Sequence, residues 1–303
     1  MRPTLRQLQY VVAVAETGRF GDAAARMNVS QPSLSAQIAD AEAQLGVQLF
    51  ERGRNGAITT PLGKDFVRRA RAILSYMEDL KSAMIHGDKT MAGRIRLGVL
   101  PSIGPYLLPT AVKRLHTQYP DLRMSVRENR TIDLESALNE GAIDMVISTA
   151  DDHPDASHAP LFREQFWICA AQDDALAGEG PVRPHDLEGR ELLTVGYGHR
   201  LSLIVQQIAD TSRAHVSSEF QGTSLDAIRQ MAAMGAGVAI LPSLYASTEA
   251  RRDPDLTLRP IDHPLAARMI SLIWRRTSPL EQQFETIASI LKDVSTELLS
   301  ESG

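Results

Sequence analysis

Residues 20–52, FGDAAARMNVSQPSLSAQIADAEAQLGVQLFER, decide how the rest of this chain is read. The first eight residues make a short helix whose inner face is alanine-rich. Asn28-Val29-Ser30 is a tight connection. Ser30 suits an N-cap, and Pro32 falls in the first turn of the next helix, where a missing N–H does no harm. That helix runs to Leu45, with Leu34, Ile38, Ala41 and Leu45 on one face. Gly46 is placed to close it in the left-handed conformation. Two helices joined by so short a turn form a unit that presents the start of its second helix to a partner.

Upstream, residues 4–16 carry Leu5, Leu8, Val11, Val12 and Ala15 at helical spacing, and Gly18 ends the run. Downstream, extended pieces at 47–50 and 57–59 flank the turn Arg52-Gly53-Arg54-Asn55-Gly56. Three short helices and a β-turn-β element describe a winged helix-turn-helix, which lays one helix in the major groove of DNA. The candidate DNA contacts on that helix are Gln31, Pro32, Ser33, Ser35 and Gln37. Gln31 has the paired donor and acceptor that match adenine, and the hydroxyls can serve phosphates or bases. Arg52 and Arg54 on the turn suit phosphates or a narrow minor groove. The chain is acidic, with net charge −5, yet between residues 51 and 71 Arg52, Arg54, Lys64, Arg68, Arg69 and Arg71 face only Glu51 and Asp65. That local basic excess is the electrostatic footprint of a nucleic-acid binder.

Thr60 and Pro61 open a long helix in which Leu62, Phe66, Ala70, Ile73, Met77, Leu80 and Met84 recur at nearly heptad spacing. The seam either pairs with a second copy or packs on its own domain. Its position between domains favours pairing, with Leu62, Phe66, Ile73, Met77 and Leu80 as dimerisation residues. Residues 87–93, GDKTMAG, read as a linker. Strand-like runs then appear at 95–100, 122–127, 145–148, 166–171, 192–196, 218–222, 238–241 and 269–274. Helical runs appear at 106–118, 133–139, 203–211, 225–234 and 280–298. This alternation argues an α/β domain with largely parallel sheets.

Other classes of protein find little support. No apolar run approaches the roughly 18 residues of a membrane span. The N-terminal apolar stretch is interrupted by Glu16 and Arg19, so no signal peptide is expected. Cys169 is the one cysteine of 303 residues. A disulfide within one chain is therefore impossible, which fits a reducing, cytoplasmic setting. Between Ile168 and Ala170, Cys169 reads as a buried hydrophobe. Neither a Gly-x-Ser-x-Gly elbow, a metal-binding helix nor a phosphate-binding Gly-rich loop is present. Gly235-Ala236-Gly237 precedes a strand, the wrong context for a dinucleotide fingerprint. We expect no enzyme, no cofactor and no metal.

The run from Ala23 to Ile38 resembles the signature of LysR-type transcriptional regulators, and Leu45-Gly46-Val47-Gln48-Leu49-Phe50-Glu51-Arg52 extends the likeness. Ala36 departs from it, standing where many members carry a basic or polar residue. The resemblance implies an α+β multidomain chain. A winged helix-turn-helix would span 1–60 and a linker and dimerisation helix 61–92. A two-lobed α/β effector-binding domain similar to periplasmic binding proteins would span 93–303. Lobe I would comprise about 93–164 and 268–303, and lobe II about 165–267. The resemblance also implies a dimer of dimers with antiparallel linker helices, a partly palindromic double-stranded DNA site, a small-molecule effector and, for an activator, contact with RNA polymerase.

Within the family, the C-terminal half is most similar to OxyR-type peroxide sensors, through residues 98–109, Gly198-His199, residues 222–225 and residues 235–242. In those sensors a Gly-His pair precedes a reactive cysteine, with a partner cysteine further on. Here the two places hold Arg200 and Ala209. A thiol-disulfide switch within one subunit cannot operate without two thiols. Reversible binding of a small polar or anionic effector between the lobes is the reading that remains. The alternative is a redox regulator that uses Cys169 between subunits or by direct oxidation. A purely architectural DNA binder is a third reading, but it gives no reason for a sensing half.

The candidate effector residues are Ser102, Thr131, His199, Arg200, Thr223 and Ser224, each at a strand-to-helix connection where N–H groups and hydroxyls suit anions. Thr223 with Asp226 resembles a capping box, so Thr223 and Ser224 fit capping as well as contact. Arg200 can pair with a carboxylate or phosphate, or make a salt bridge or hinge contact. His199 can tune anion binding with pH or simply bond backbone.

Overall fold

The computed structural model describes residues 3–53, 56–86, 91, 93–222 and 224–302. It divides into two units, residues 1–94 with 136–144 and residues 95–135 with 145–303.

The first unit opens with α1 (Leu5–Thr17), α2 (Phe20–Arg26) and α3 (Gln31–Leu45). Each boundary has a local cause. Thr4 caps α1 in a reciprocal pair with Gln7, and Gly18 ends it in the left-handed region at φ 68°. Asn28 takes φ 54° in the turn between α2 and α3, a conformation asparagine tolerates better than most residues. Ser30 accepts from the Ser33 N–H at 3.3 Å, and Gly46 closes α3. Tyr10, Val14, Ala23, Leu34, Ile38 and Phe50 pack into one core. Buried Gln7 donates to Asp40 at 2.8 Å and to the Gln37 carbonyl at 3.3 Å, tying α1 to α3.

The two-stranded wing is β1 (Phe50–Gly53) paired antiparallel with β2 (Gly56–Thr59). The first strand starts later than the expected 47–50. The Glu42 carboxylate accepts the Leu49 and Phe50 N–H groups at 2.7 and 3.2 Å, and the Val47 N–H still bonds to α3. Those donors are spent before a ladder can form. The helix α4 (Pro61–His86) follows, with the Thr60 hydroxyl capping the Gly63 N–H at 2.9 Å. At Gly63 a Cβ would lie 2.1 Å from the Leu49 carbonyl oxygen, so only glycine lets α4 start there.

Beyond α4 the chain forms β3 (Gly93–Val99), α5 (Gly104–Gln118), β4 (Leu122–Glu128), α6 (Thr131–Asn139), β5 (Met145–Thr149) and β6 (Ala156–Ala171). There follow β7 (Glu191–Val195), α7 (Arg200–Ser212), β8 (His215–Gly222), α8 (Leu225–Ala233), β9 (Val238–Pro242) and α9 (Ser243–Thr248). The chain ends with β10 (Leu256–Pro260), β11 (Ala267–Arg275) and α10 (Glu281–Ser302). The strand order is β4-β3-β5-β11-β6-β9-β7-β8, with β10 paired to β6.

This arrangement makes two lobes, because β6 changes partners along its length. Its first part pairs with β11, and from Phe166 onward it pairs with β9 and β10. The expectation of largely parallel sheets needs correction. The β3–β5, β7–β8 and β7–β9 pairs are parallel, but β6 and β11 run antiparallel to their neighbours. They carry the chain from one lobe to the other and back, and a return path reverses direction. From sequence only 166–171 of β6 is expected as a strand, and neither β10 nor α9 is expected. The early part of β6 contains Pro160 and faces a register shift between Ile270 and Ser271, and β10 is a short edge strand ending in proline. Proline is confined to such irregular or edge places because it cannot donate to the ladder.

Candidate functional site

The start of α3 is open to solvent in this chain. Gln31, Pro32, Ser33 and Gln37 are exposed and Ser35 is half-buried, while Leu34 and Ile38 point into the core. Helix periodicity thus places the predicted contacts on one outward face. Arg52 lies on β1 opposite Ala57. Arg54 lies outside the described residues. On α4 the expected seam divides. Ala70 of the seam is buried, beside Val67 from outside it, where α4 packs on α1, and Phe66 packs partly against the same core. Leu62, Ile73 and Met77 stay 60, 45 and 40% exposed, an apolar stripe not covered by the described residues. The backbone of Leu80 continues α4.

In the second unit, Ser102, Thr131, His199, Arg200 and Ser224 line one cavity of about 230 Å³. Residues up to 122 positions apart are brought together there by the starts of four helices. Ser102 sits in the turn between β3 and α5, where its hydroxyl accepts from Arg268 Nη2 at 2.9 Å. Arg268 on β11 is opposite Glu164 on β6, and its Nε donates to that carboxylate at 2.8 Å. Both side chains are almost fully buried, and the guanidinium carbon lies 5.4 Å from the Phe166 ring centre. Burial pushes the Glu164 carboxyl up, and Arg268 pulls it back.

Across the cavity, His199 precedes α7 with no side-chain capping bond, and Ser202 donates its hydroxyl to the His199 carbonyl at 2.7 Å. Burial, with help from Arg130, holds the imidazole below its usual range. The Arg200 N–H donates to Thr131 Oγ1 at 3.1 Å. Its guanidinium bonds Asp152 at 2.9 Å, with Asp151 at 3.7 Å. Arg200 is therefore on the cavity wall, but its charge is already paired. Ser224 caps α8 by accepting from the Ala227 N–H at 3.2 Å. Ser224 thus holds the N-cap position of α8, and the capping box expected of Thr223 with Asp226 rests on Thr223, which lies outside the described residues.

Arg268, Tyr106, Tyr245 and Asp226 also line the cavity and are not among the effector residues expected from sequence. The Tyr245 hydroxyl donates to Asp226 at 3.2 Å, and Arg229 holds that carboxylate at 3.0 Å. Burial pushes the Tyr106 phenol up to about 12. Nothing local marks these side chains, because their significance is a meeting of distant elements. The cavity combines an apolar lining, including Leu100, Val195, Leu201 and Leu225, with a few polar groups, the usual make-up of a small-molecule site. Each wall charge carries an opposite partner, Arg268 with Glu164, Arg200 with Asp152, Asp226 with Arg229.

Cys169 lies on β6 with no exposure, opposite Ala239 and Leu258. Burial pushes its thiol up to about 12. Thiolate, the reactive form, is negligible at that value. Among the described residues no cluster of His, Cys, Asp and Glu could hold a metal ion, and no helix is long and apolar enough to cross a membrane.

Comparison with known proteins agrees with this geometry. Residues 5–64 match the family described as "Bacterial regulatory helix-turn-helix protein, lysR family", and residues 88–296 match the "LysR substrate binding domain". The chain is 35% identical over 289 residues to the DNA-binding transcriptional dual regulator OxyR of Escherichia coli K12, covering 95% of this chain and 94% of that one. It is 35% identical over 290 residues to the hydrogen peroxide-inducible genes activator of Pectobacterium carotovorum, covering 95 and 96%. Among solved structures it resembles a full-length cysteine-to-aspartate variant of Pseudomonas aeruginosa OxyR, with TM-score 0.79, 29% identity and coverage of 96 and 98%. It also resembles a peroxide-bound cysteine-to-serine variant of Corynebacterium glutamicum OxyR, with TM-score 0.67, 30% identity and coverage of 100 and 97%. With a helix-turn-helix, a two-lobed sensing half and only one cysteine, this chain belongs to the LysR family of DNA-binding transcriptional regulators, homologous to OxyR but without its redox cysteine pair.

Proposed function

We propose that this regulator controls DNA binding or bending through a small polar or anionic effector held between its lobes, rather than through thiol oxidation. One observation supports this most directly: Ser102, Thr131, His199 and Arg200 meet on one cavity, with Arg200 where the resemblance puts a reactive cysteine. Ser102 and Thr131 hold the effector from one lobe, and His199 and Arg200 from the other. Domain limits near 60 and 92 separate a DNA reader, a linker helix and the sensor. Gln31, Pro32, Ser33, Ser35 and Gln37 face the major groove, and Arg52 and Arg54 take the phosphates. The stripe of Leu62, Ile73 and Met77, with Phe66 and Leu80 beside it, pairs two copies, and pairs of dimers form a tetramer on a partly palindromic site. The protein acts in the cytoplasm, catalyses no reaction and, where it activates, contacts RNA polymerase.

An effector moves the equilibrium only by binding one lobe arrangement more tightly than the other. Footprinting and DNA-bending assays with wild type and Cys169→Ser test the reading. Both proteins should hold the operator alike, and hydrogen peroxide should leave the footprint unchanged. A peroxide-dependent footprint that vanishes in Cys169→Ser would return the redox alternative to first place. Against that alternative stand the burial of Cys169 and its raised thiol.

A further inference from the structure

The inner cavity has a neighbour. A second cavity of about 190 Å³ shares Thr131, His199 and Arg200 with it, so these three residues form a partition. Asp152 and Glu135 line only the outer cavity, and Tyr197, 81% exposed, stands on its rim. Three bonds cross the partition from the start of α7. The Ile132 N–H donates to the Gly198 carbonyl at 3.3 Å, the Arg200 N–H to Thr131 Oγ1 at 3.1 Å, and Arg200 Nη1 to Asp152 Oδ1 at 2.9 Å. Together they strap the second lobe to the first.

The ion pair in this strap is incomplete. A guanidinium and a carboxylate can make two parallel bonds. Here Arg200 Nε and Asp152 Oδ2 are both buried without a hydrogen-bond partner among the described residues. The Asp152 side chain is nine-tenths buried. Burial outweighs the pull of Arg200 and holds its carboxyl above the usual range, so this acid gains hydration by leaving.

We propose that Asp152 occupies the place of an effector's carboxylate on Arg200, and that an acidic effector takes the guanidinium in exchange. This rests on the reading that Arg200 lines the effector site. The incoming carboxylate satisfies Nε as well as Nη1, while its apolar body fills the inner cavity beside Leu201 and Leu225. Asp152 swings to solvent through the outer cavity. Effector binding and release of the lobe-to-lobe ion pair are then one event, which couples occupancy to lobe arrangement. Asp151 and Glu135 beside the exchange point favour a monocarboxylate over a more highly charged anion.

Calorimetry on full-length wild type, Asp152→Asn and Arg200→Gln tests the exchange, with hexanoate and benzoate as probes and their amides as neutral counterparts. Asp152→Asn should bind at least one carboxylate about tenfold more tightly than wild type, because the internal competitor is weakened, with the amides unaffected. Amide hydrogen exchange over residues 198–203 should be faster in Asp152→Asn alone, and in wild type once the carboxylate is added. Asp152→Ser serves the same reading if the asparagine variant fails to fold. If Arg200→Gln loses the carboxylate while Asp152→Asn matches wild type in affinity and amide exchange, the exchange is overturned and the effector site stands. If Arg200→Gln binds the carboxylate as wild type does, or if the Asp152 variants bind neither acid, both the exchange and the placement of the site fall.

Discussion

Glu164 and Arg268 are the most deeply buried ion pair described in the chain, 0 and 4% exposed. Such a pair need not raise stability over an apolar substitute, because two charges have left water. Removing one partner is another matter, since the other remains buried and unmatched. Glu164→Leu should therefore destabilise the protein by about 3–5 kcal/mol, while Glu164→Leu with Arg268→Met should recover much of that loss. Chemical denaturation of these variants and of Arg268→Met checks this, and a double loss equal to the sum of the two single losses would show that the charges are not coupled. The double variant should still lose effector response, because Arg268 also holds the Ser102 hydroxyl on the cavity wall. Cys169 is the contrasting residue. It too is buried, but its neighbours Ile168 and Ala170 already announce a core position in the sequence.

At the scale of elements, α3 and the wing should contribute differently to DNA binding. If Gln31 makes its paired contact, Gln31→Ala should lose about 1–3 kcal/mol of discrimination at one base pair. Arg52→Ala should instead weaken binding to most sequences and flatten the salt dependence. Footprinting and salt titration on one operator distinguish the two, and an unchanged Gln31→Ala would remove α3 from the groove. The helix α4 carries the third element-scale test. Val67 and Ala70 are used within its own unit, whereas Leu62, Ile73 and Met77 are exposed, and the proposed pairing of two copies uses them. Ile73→Glu would bury an unpaired charge in that seam and should weaken self-association by roughly tenfold or more. Light scattering across a dilution series checks it. Association unaffected by Ile73→Glu would place the dimer contact elsewhere.

At the scale of the whole molecule, what the sequence by itself determined is local. Ser30, Pro32 and Gly46 bound α3 because a cap needs only residues a few positions away. The alternation of strands and helices, the exposed face of α3, and the lack of a second thiol were legible for the same reason: each depends on near neighbours or on a count. Even there, long-range bonding intervened, as when the Glu42 carboxylate took the N–H groups of Leu49 and Phe50 and delayed β1. The tertiary structure alone decided the rest. It ran β6 through both lobes, despite Pro160, because β11 pairs with its first part. It joined Arg268 to Ser102 across 166 positions, and Arg200 to Asp152 across 48. Those pairs have no periodicity or spacing to betray them. Charges so far apart in the chain meet only once packing has fixed both lobes, and burial then makes each partner indispensable to the other.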